Sequence, residues 1–107
     1  MSTVDLAILD KVVEWLTSVR IFDLARKYDV DREEEYKERM LEAIYVRDTL
    51  RNKSSIESAL KWLDNTRISA LAFEYDMERQ EEKLFRLLEV VKIRDFLIKY
   101  WDNNRKL

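Results

Sequence analysis

Carboxylates are the side chains of this sequence whose type and spacing could do chemistry. Glutamates recur four residues apart on the predicted helices, in the pairs Glu34/Glu38, Glu38/Glu42, Glu74/Glu78 and Glu78/Glu82. Residues at this spacing share a helix face, and helical bundles use such carboxylates to hold two metal ions. Those metal sites also require histidine, and the chain has none. We therefore interpret the glutamates as solvent-facing charge and expect no metal site.

The other groups that support catalysis are missing from the composition. The 107 residues include no Cys and no His, so a serine or threonine here has no histidine base. Hydrolysis by two carboxylates needs a pocket, which short-looped bundles rarely provide. A glycine-rich phosphate loop is excluded because the chain contains no Gly. We expect a protein that is not an enzyme, with no catalytic residues, no cofactor and no small-molecule substrate.

The absence of Gly and Pro also predicts the elements of the fold. Tight β-hairpin turns depend on residues with positive φ, which glycine supplies most readily. Hydrophobic residues make up 47% of the chain and charged residues 39%, a composition typical of packed helices. We predict one all-α domain over residues 1–107, an irregular antiparallel bundle of four or five helices with a long C-terminal helix. No internal repeat is predicted.

Polar and capping residues predict where the helices end. Asp31 with Glu34 and Ser54 with Glu57 have the spacing of a capping box, in which side chain and backbone bond reciprocally. The charged stretch 74–83 is either the exposed middle of one helix or a loop between two, and we favour a continuous or gently broken helix from about Thr66 to Asn103. The pattern predicts a kink or short joint at 18–20 and further joints at 28–31, 52–55 and 64–66.

The C-terminal segment 84–101 is apolar on nearly all sides. Leu84, Leu88 and Val91 fall on one side of the helical wheel, and a second apolar group lies nearly opposite. A helix of this kind is buried on several sides, and aromatic residues are enriched at interface hot spots. We predict a protein–protein interaction module that forms a homo-oligomer or docks on another protein; a bent helix wrapped by its own bundle fits the pattern equally well. The predicted interface consists of Ile93, Phe96, Leu97, Tyr100 and Trp101.

Basic residues around the third predicted joint give an alternative function. Five of them could contact phosphates, namely Arg47, Arg51, Lys53, Lys61 and Arg67. Residues 21–30 also have the pattern of the first helix and turn of a helix-turn-helix, degenerate over 21–38. Glu33 and Glu34 stand where that motif would meet phosphates, and acidic side chains there repel DNA. We keep a small nucleic-acid-associated protein as the alternative, not the favoured one.

Charge and hydropathy bound the location. The net charge of −2 indicates neither a strongly basic nucleic-acid-binding protein nor an acidic tail. The longest uncharged run is residues 68–73, far shorter than a bilayer crossing needs, and no targeting segment is visible. The lack of cysteine is compatible with a reducing interior, and the bias toward Glu, Lys and Arg is typical of hyperthermophile proteins. We expect a cytoplasmic protein that does not interact with membranes.

Overall fold

The computed structural model describes residues 3–105, and the side chains of residues 4–104. Helix α1 runs from 3 to 31 and is built from three segments, Thr3–Trp15, the π-helical Leu16–Arg20 and Ile21–Asp31. The backbone stays right-handed helical on both sides of the π segment, at Trp15 and at Ile21. These segments therefore form one helix, and the kink or short joint predicted at 18–20 falls on its π-helical segment, which does not break the helix.

The remaining chain forms three further helices within the described residues. Helix α2 is Glu34–Leu50. Helix α3 runs from 56 to 78 as Ile56–Lys61, the π-helical Trp62–Ile68 and Ser69–Glu78, without a break. Helix α4 is Glu81–Arg105, 25 residues long. The predicted all-α bundle with a long C-terminal helix is confirmed, with four helices.

Several predicted boundaries are displaced. The chain continues helically through 64–66 and turns instead at Arg79 and Gln80, so the charged stretch 74–83 holds the turn between two helices and not the middle of one. Asp31 ends α1 and does not cap α2, whose N-cap, Glu33, makes no side-chain cap bond. Helix α3 is capped by Ser55, one residue later than predicted, whose hydroxyl accepts a bond of 3.1 Å from the Ser58 amide.

Arginine occupies the position where glycine usually ends a helix. Arg32 and Arg79 adopt left-handed backbone conformations, with φ of 57° and 55°. Their amides donate to the carbonyls of Tyr28 and Tyr75 at 2.8 Å, which closes α1 and α3. Each guanidinium lies over the ring of that tyrosine, 5.5 Å and 5.4 Å from its centroid. A chain without glycine thus makes two tight helical turns with a stacked arginine.

The four helices form two helical hairpins, α1–α2 and α3–α4, and the two hairpins have similar sequences. Residues 15–50 and 62–97 align without a gap, each residue matching the one 47 positions later, and are identical at 17 of 36 positions. The π segments overlap in this alignment and the left-handed arginines coincide. The prediction that the chain holds no repeat is therefore wrong. The likeness is hard to see because the shared residues are scattered at helical spacing between substituted surface positions.

The core repeats as well, because equivalent residues are buried in both hairpins. Each hairpin presents the same apolar face to the other, so the contacts between them are reciprocal, as in an isologous interface. The buried pairs are Leu9/Ile56, Val12/Ala59, Leu16/Leu63, Leu24/Leu71, Ala43/Val90, Val46/Ile93 and Leu50/Leu97. The bundle is thus a pair of equivalent hairpins, α1–α2 and α3–α4, joined by residues 51–55.

Candidate functional site

Three glutamates lie inside the bundle. Glu42 and Glu89 have no exposed surface, and Glu38 is 9% exposed. The interpretation of Glu38 and Glu42 as solvent-facing charge is therefore wrong. Charged residues are almost never fully buried unless they are paired, so the partners of these carboxylates define the polar interior.

Two arginines reach across the hairpin interface to the fully buried glutamates. Arg20 Nε and Nη2 donate to the Glu89 carboxylate at 2.6 Å and 2.7 Å. Arg67 Nε and Nη2 donate to Glu42 at 2.5 Å and 2.6 Å. Arg20 is equivalent to Arg67, and Glu42 to Glu89. The two forked ion pairs are therefore one interaction made twice, each time from the π segment of one hairpin to the second helix of the other.

A second arginine approaches each buried carboxylate. Arg39 Nη1 lies 3.3 Å from Glu89, and the equivalent Arg86 Nη1 lies 3.5 Å from Glu42. Arg86 Nε also donates to Glu38 at 2.7 Å. The position equivalent to Glu38 in the second hairpin is a phenylalanine, so this last bond is made once. The interior is a largely symmetric network of alternating charges.

The network holds its charges in a fixed state. Hydrogen bonding to Glu89 raises the pKa of Arg20, and hydrogen bonding to Glu42 raises the pKa of Arg67. Both guanidinium groups therefore remain charged, and both oxygens of each carboxylate accept bonds from them. Within residues 3–105, no group of three or more acidic side chains is placed to hold a metal ion. The arrangement is suited to joining the hairpins.

An open groove of about 500 Å³ lies along α4, and we call it the α4 groove. The Trp15 ring stacks on Phe96, with centroids 3.8 Å apart and planes 6° apart. Leu88 is 42% exposed although it is a large apolar residue. The groove is lined by Trp15, Leu88, Val91, Lys92, Asp95, Phe96 and Lys99. Its apolar surface is thus bordered by two lysines and one aspartate.

The symmetry-equivalent surface, formed by α2 and α3, keeps its leucine and its tryptophan. Leu41 matches Leu88 and is 37% exposed, and Trp62 matches Trp15. There the Tyr45 ring lies 5.8 Å from Trp62, at the position that holds a lysine in the α4 groove. Both halves therefore retain an exposed leucine that the core does not require.

The predicted interface residues divide into two groups. Ile93 and Leu97 are fully buried and belong to the core, so they are closed to a partner. Phe96, Tyr100 and Trp101 are half-buried and pack against that core. Of these, Phe96 lines the α4 groove. That this helix forms an interface stays a prediction, now confined to residues with exposed surface.

Sequence reasoning missed Trp15 and Leu88 as neighbours of Phe96. It placed Leu88 on the side of the helix nearly opposite the predicted interface, because an ideal helical wheel does not say which faces the other helices cover. The repeat is the signal that could have found them, because it keeps tryptophan at 15 and 62 and leucine at 41 and 88.

The basic residues of the alternative function are engaged within the chain. Arg47 and Arg51 contact Asp48, Lys61 contacts Glu57, Arg67 binds Glu42, and Lys53 lies over the Trp62 ring. Residues 21–31 continue α1 and meet α2 after two residues, whereas a helix-turn-helix uses a turn of three or four. These contacts compensate the basic charge locally and weaken the nucleic-acid alternative.

Within the described range, no helix has the length and apolar character that crossing a membrane requires. No protein-family model, curated protein or solved structure matches this chain. A functional proposal therefore has to come from the groove, the ion pairs and the repeat.

Proposed function

We propose that this chain is a non-catalytic helical interaction module that contacts a second copy or a larger assembly through α4. The observation that carries the proposal is the exposed leucine kept in both hairpins, Leu41 and Leu88, each in the hairpin opposite an equivalent tryptophan. Most exposed positions differ between the halves. An apolar side chain retained at the surface, outside the core, is typical of a binding surface.

The groove around Leu88 has the composition of a small interface. Covering one leucine contributes about 1.5–3 kcal/mol, whereas a micromolar complex needs about 8 kcal/mol. The partner must therefore also cover neighbouring apolar surface, which Val91 and the Trp15–Phe96 stack supply. Lys92, Asp95 and Lys99 would form the polar rim that interfaces of this kind carry.

The test is molar mass by light scattering over a dilution series at two salt concentrations. Self-association predicts a mass near twice 13.1 kDa that falls to the chain mass in Leu88→Lys. Met77→Lys is the matched control, because Met77 is also exposed and apolar but lies on α3, outside the groove. Added salt should change apolar docking little, whereas phosphate contacts weaken steeply with salt.

A monomeric wild type would leave docking on another protein as the form to test. Immobilised wild-type chain and Leu88→Lys should then capture different proteins from a lysate, while Met77→Lys should capture the same ones as wild type. If Leu88→Lys alters neither the mass nor the captured proteins, the proposal is wrong.

A further inference from the structure

We infer that the two hairpins are interchangeable, so that this chain can pair with a second copy by exchanging them. In the exchanged dimer, hairpin 3–50 of each copy packs on hairpin 56–105 of the other. The partner is a second copy of this chain, and the contact surface is the apolar face that the bundle buries. The inference does not depend on the α4 groove.

The equivalence of the buried faces is the first observation behind it. Leu16 and Leu63 are both fully buried, as are Leu50 and Leu97, and the other matched core positions hold apolar residues that differ in size. The core contacts between the hairpins can be made by hairpins of two chains as well as by those of one, so they do not depend on which chain supplies each hairpin. Exchanging hairpins therefore costs no contact in the core.

The ion pairs make the pairing selective. A hairpin docked on this face must place a carboxylate opposite Arg20 and a guanidinium opposite Glu42. An uncompensated charge in this buried position is strongly unfavourable, which rejects other apolar helices. The second hairpin of another copy supplies both groups, Glu89 and Arg67, in the correct places.

The joint decides between the closed monomer and the exchanged dimer. Residues 51–55 are the covalent link between the hairpins, and the amides of Asn52 and Lys53 bond back to Thr49 and Leu50 at 3.1 Å. A short link holds the two hairpins at an effective concentration on the order of millimolar, which favours pairing within one chain. A joint too short to turn back removes this advantage and leaves exchange as the way to bury both faces.

The first experiment shortens the joint in the full chain. Deleting residues 52–54 should give a helical protein with a mass near twice 13.1 kDa, and inserting three residues after Lys53 should leave the oligomeric state of the parent unchanged. Adding Leu88→Lys to the deletion variant separates this dimer from one formed through the α4 groove, because only the exchanged dimer should persist.

The second experiment leaves the joint intact. Arg20→Met and Glu89→Leu each leave a buried charge without its main partner, whereas the doubly substituted chain has an apolar pair there. Mixing the two single variants should produce a one-to-one heterodimer, in which one interface is native and the other is apolar. The doubly substituted chain should stay in the oligomeric state of wild type. A dimer in either experiment supports exchange, and its absence from both overturns it.

Discussion

At the scale of single residues, the buried ion pairs control how the hairpins fit together. Removing two charges from water is expensive, and their attraction offsets that cost only when the remaining hydrogen-bonding groups are also satisfied. Arg20 and Arg67 meet this condition through two-pronged bonds to one carboxylate each. The pairs therefore add little net stability over an apolar pair, and their main effect is to penalise a wrong register or partner.

Substitutions at one pair should separate these effects. Arg67→Met leaves Glu42 buried with Arg86 alone at 3.5 Å, so the free energy of unfolding should fall by about 3–5 kcal/mol. Arg67→Met/Glu42→Leu should recover most of the loss, since an apolar pair of similar volume replaces the charges. Urea denaturation measures both, and Arg20→Met serves as the equivalent substitution in the other hairpin. A loss below about 1 kcal/mol in Arg67→Met would contradict this view of the network.

A surface ion pair gives a prediction for pH. Hydrogen bonds from Lys27 and Arg26 lower the pKa of Asp23. Because the folded value lies below the unfolded one, about 3.9, the contribution to stability is present above that pH and is lost as pH falls through the folded value. Titration of the Asp23 carboxyl carbon by NMR should give a low pKa that rises toward the ordinary value in Lys27→Met. An unchanged pKa in Lys27→Met would show that Lys27 is not its cause.

At the scale of helices, composition predicted the class of fold but not the joints. A chain without Gly and Pro favours helices, and the four helices agree with that. The joint predicted at 64–66 lies within a helix, and the left-handed turns are made by Arg32 and Arg79 instead. No propensity scale points to arginine at such a position, and each guanidinium lies over the tyrosine four residues earlier.

The burial of Glu42 and Glu89 was also beyond sequence reasoning about one helix at a time. Glutamates at i and i+4 normally face solvent. The four-residue spacing of Glu38 and Glu42 does not by itself distinguish buried glutamates from exposed ones. What distinguishes Glu42 is the arginine opposite it, 25 residues later in sequence. The repeat carried this information, because both glutamates and both arginines recur at the same offset, 47 residues apart.

Glycine at the left-handed positions should reveal the strain that these turns carry. A residue with a Cβ costs roughly 1–2 kcal/mol in this conformation, and glycine removes that cost while loosening the unfolded chain. Arg32→Gly should therefore be more stable than Arg32→Ala by about 1 kcal/mol, since both lose the Tyr28 contact and only glycine relieves the backbone. Thermal or urea unfolding of the two variants measures the difference, with Arg79→Gly and Arg79→Ala as the equivalent pair. Equal stabilities would mean that the turn is not strained.

At the scale of the whole molecule, the two hairpins share one hydrophobic core. The buried residues of α1 and α2 lie against those of α3 and α4, and the ion pairs cross the same boundary. Separating the hairpins would expose these apolar faces and strip four charges of their partners. The bundle should therefore fold as one cooperative unit although its sequence is a repeat of two.

Unfolding followed by two signals tests this cooperativity. Trp15 stacks on Phe96 and Trp62 contacts Tyr45, so two of the three tryptophans span the boundary, and in a Trp101→Phe background the fluorescence follows its opening. Far-UV circular dichroism follows the helices themselves, and both signals should give one urea midpoint because the hairpins have no stable folded state apart. Leu71→Ala, on the buried face of α3, should lower the free energy of unfolding by about 2–5 kcal/mol and move the two signals together. Independently stable hairpins would instead lose fluorescence first and keep their helical signal to higher urea, and Leu71→Ala would then shift only part of it.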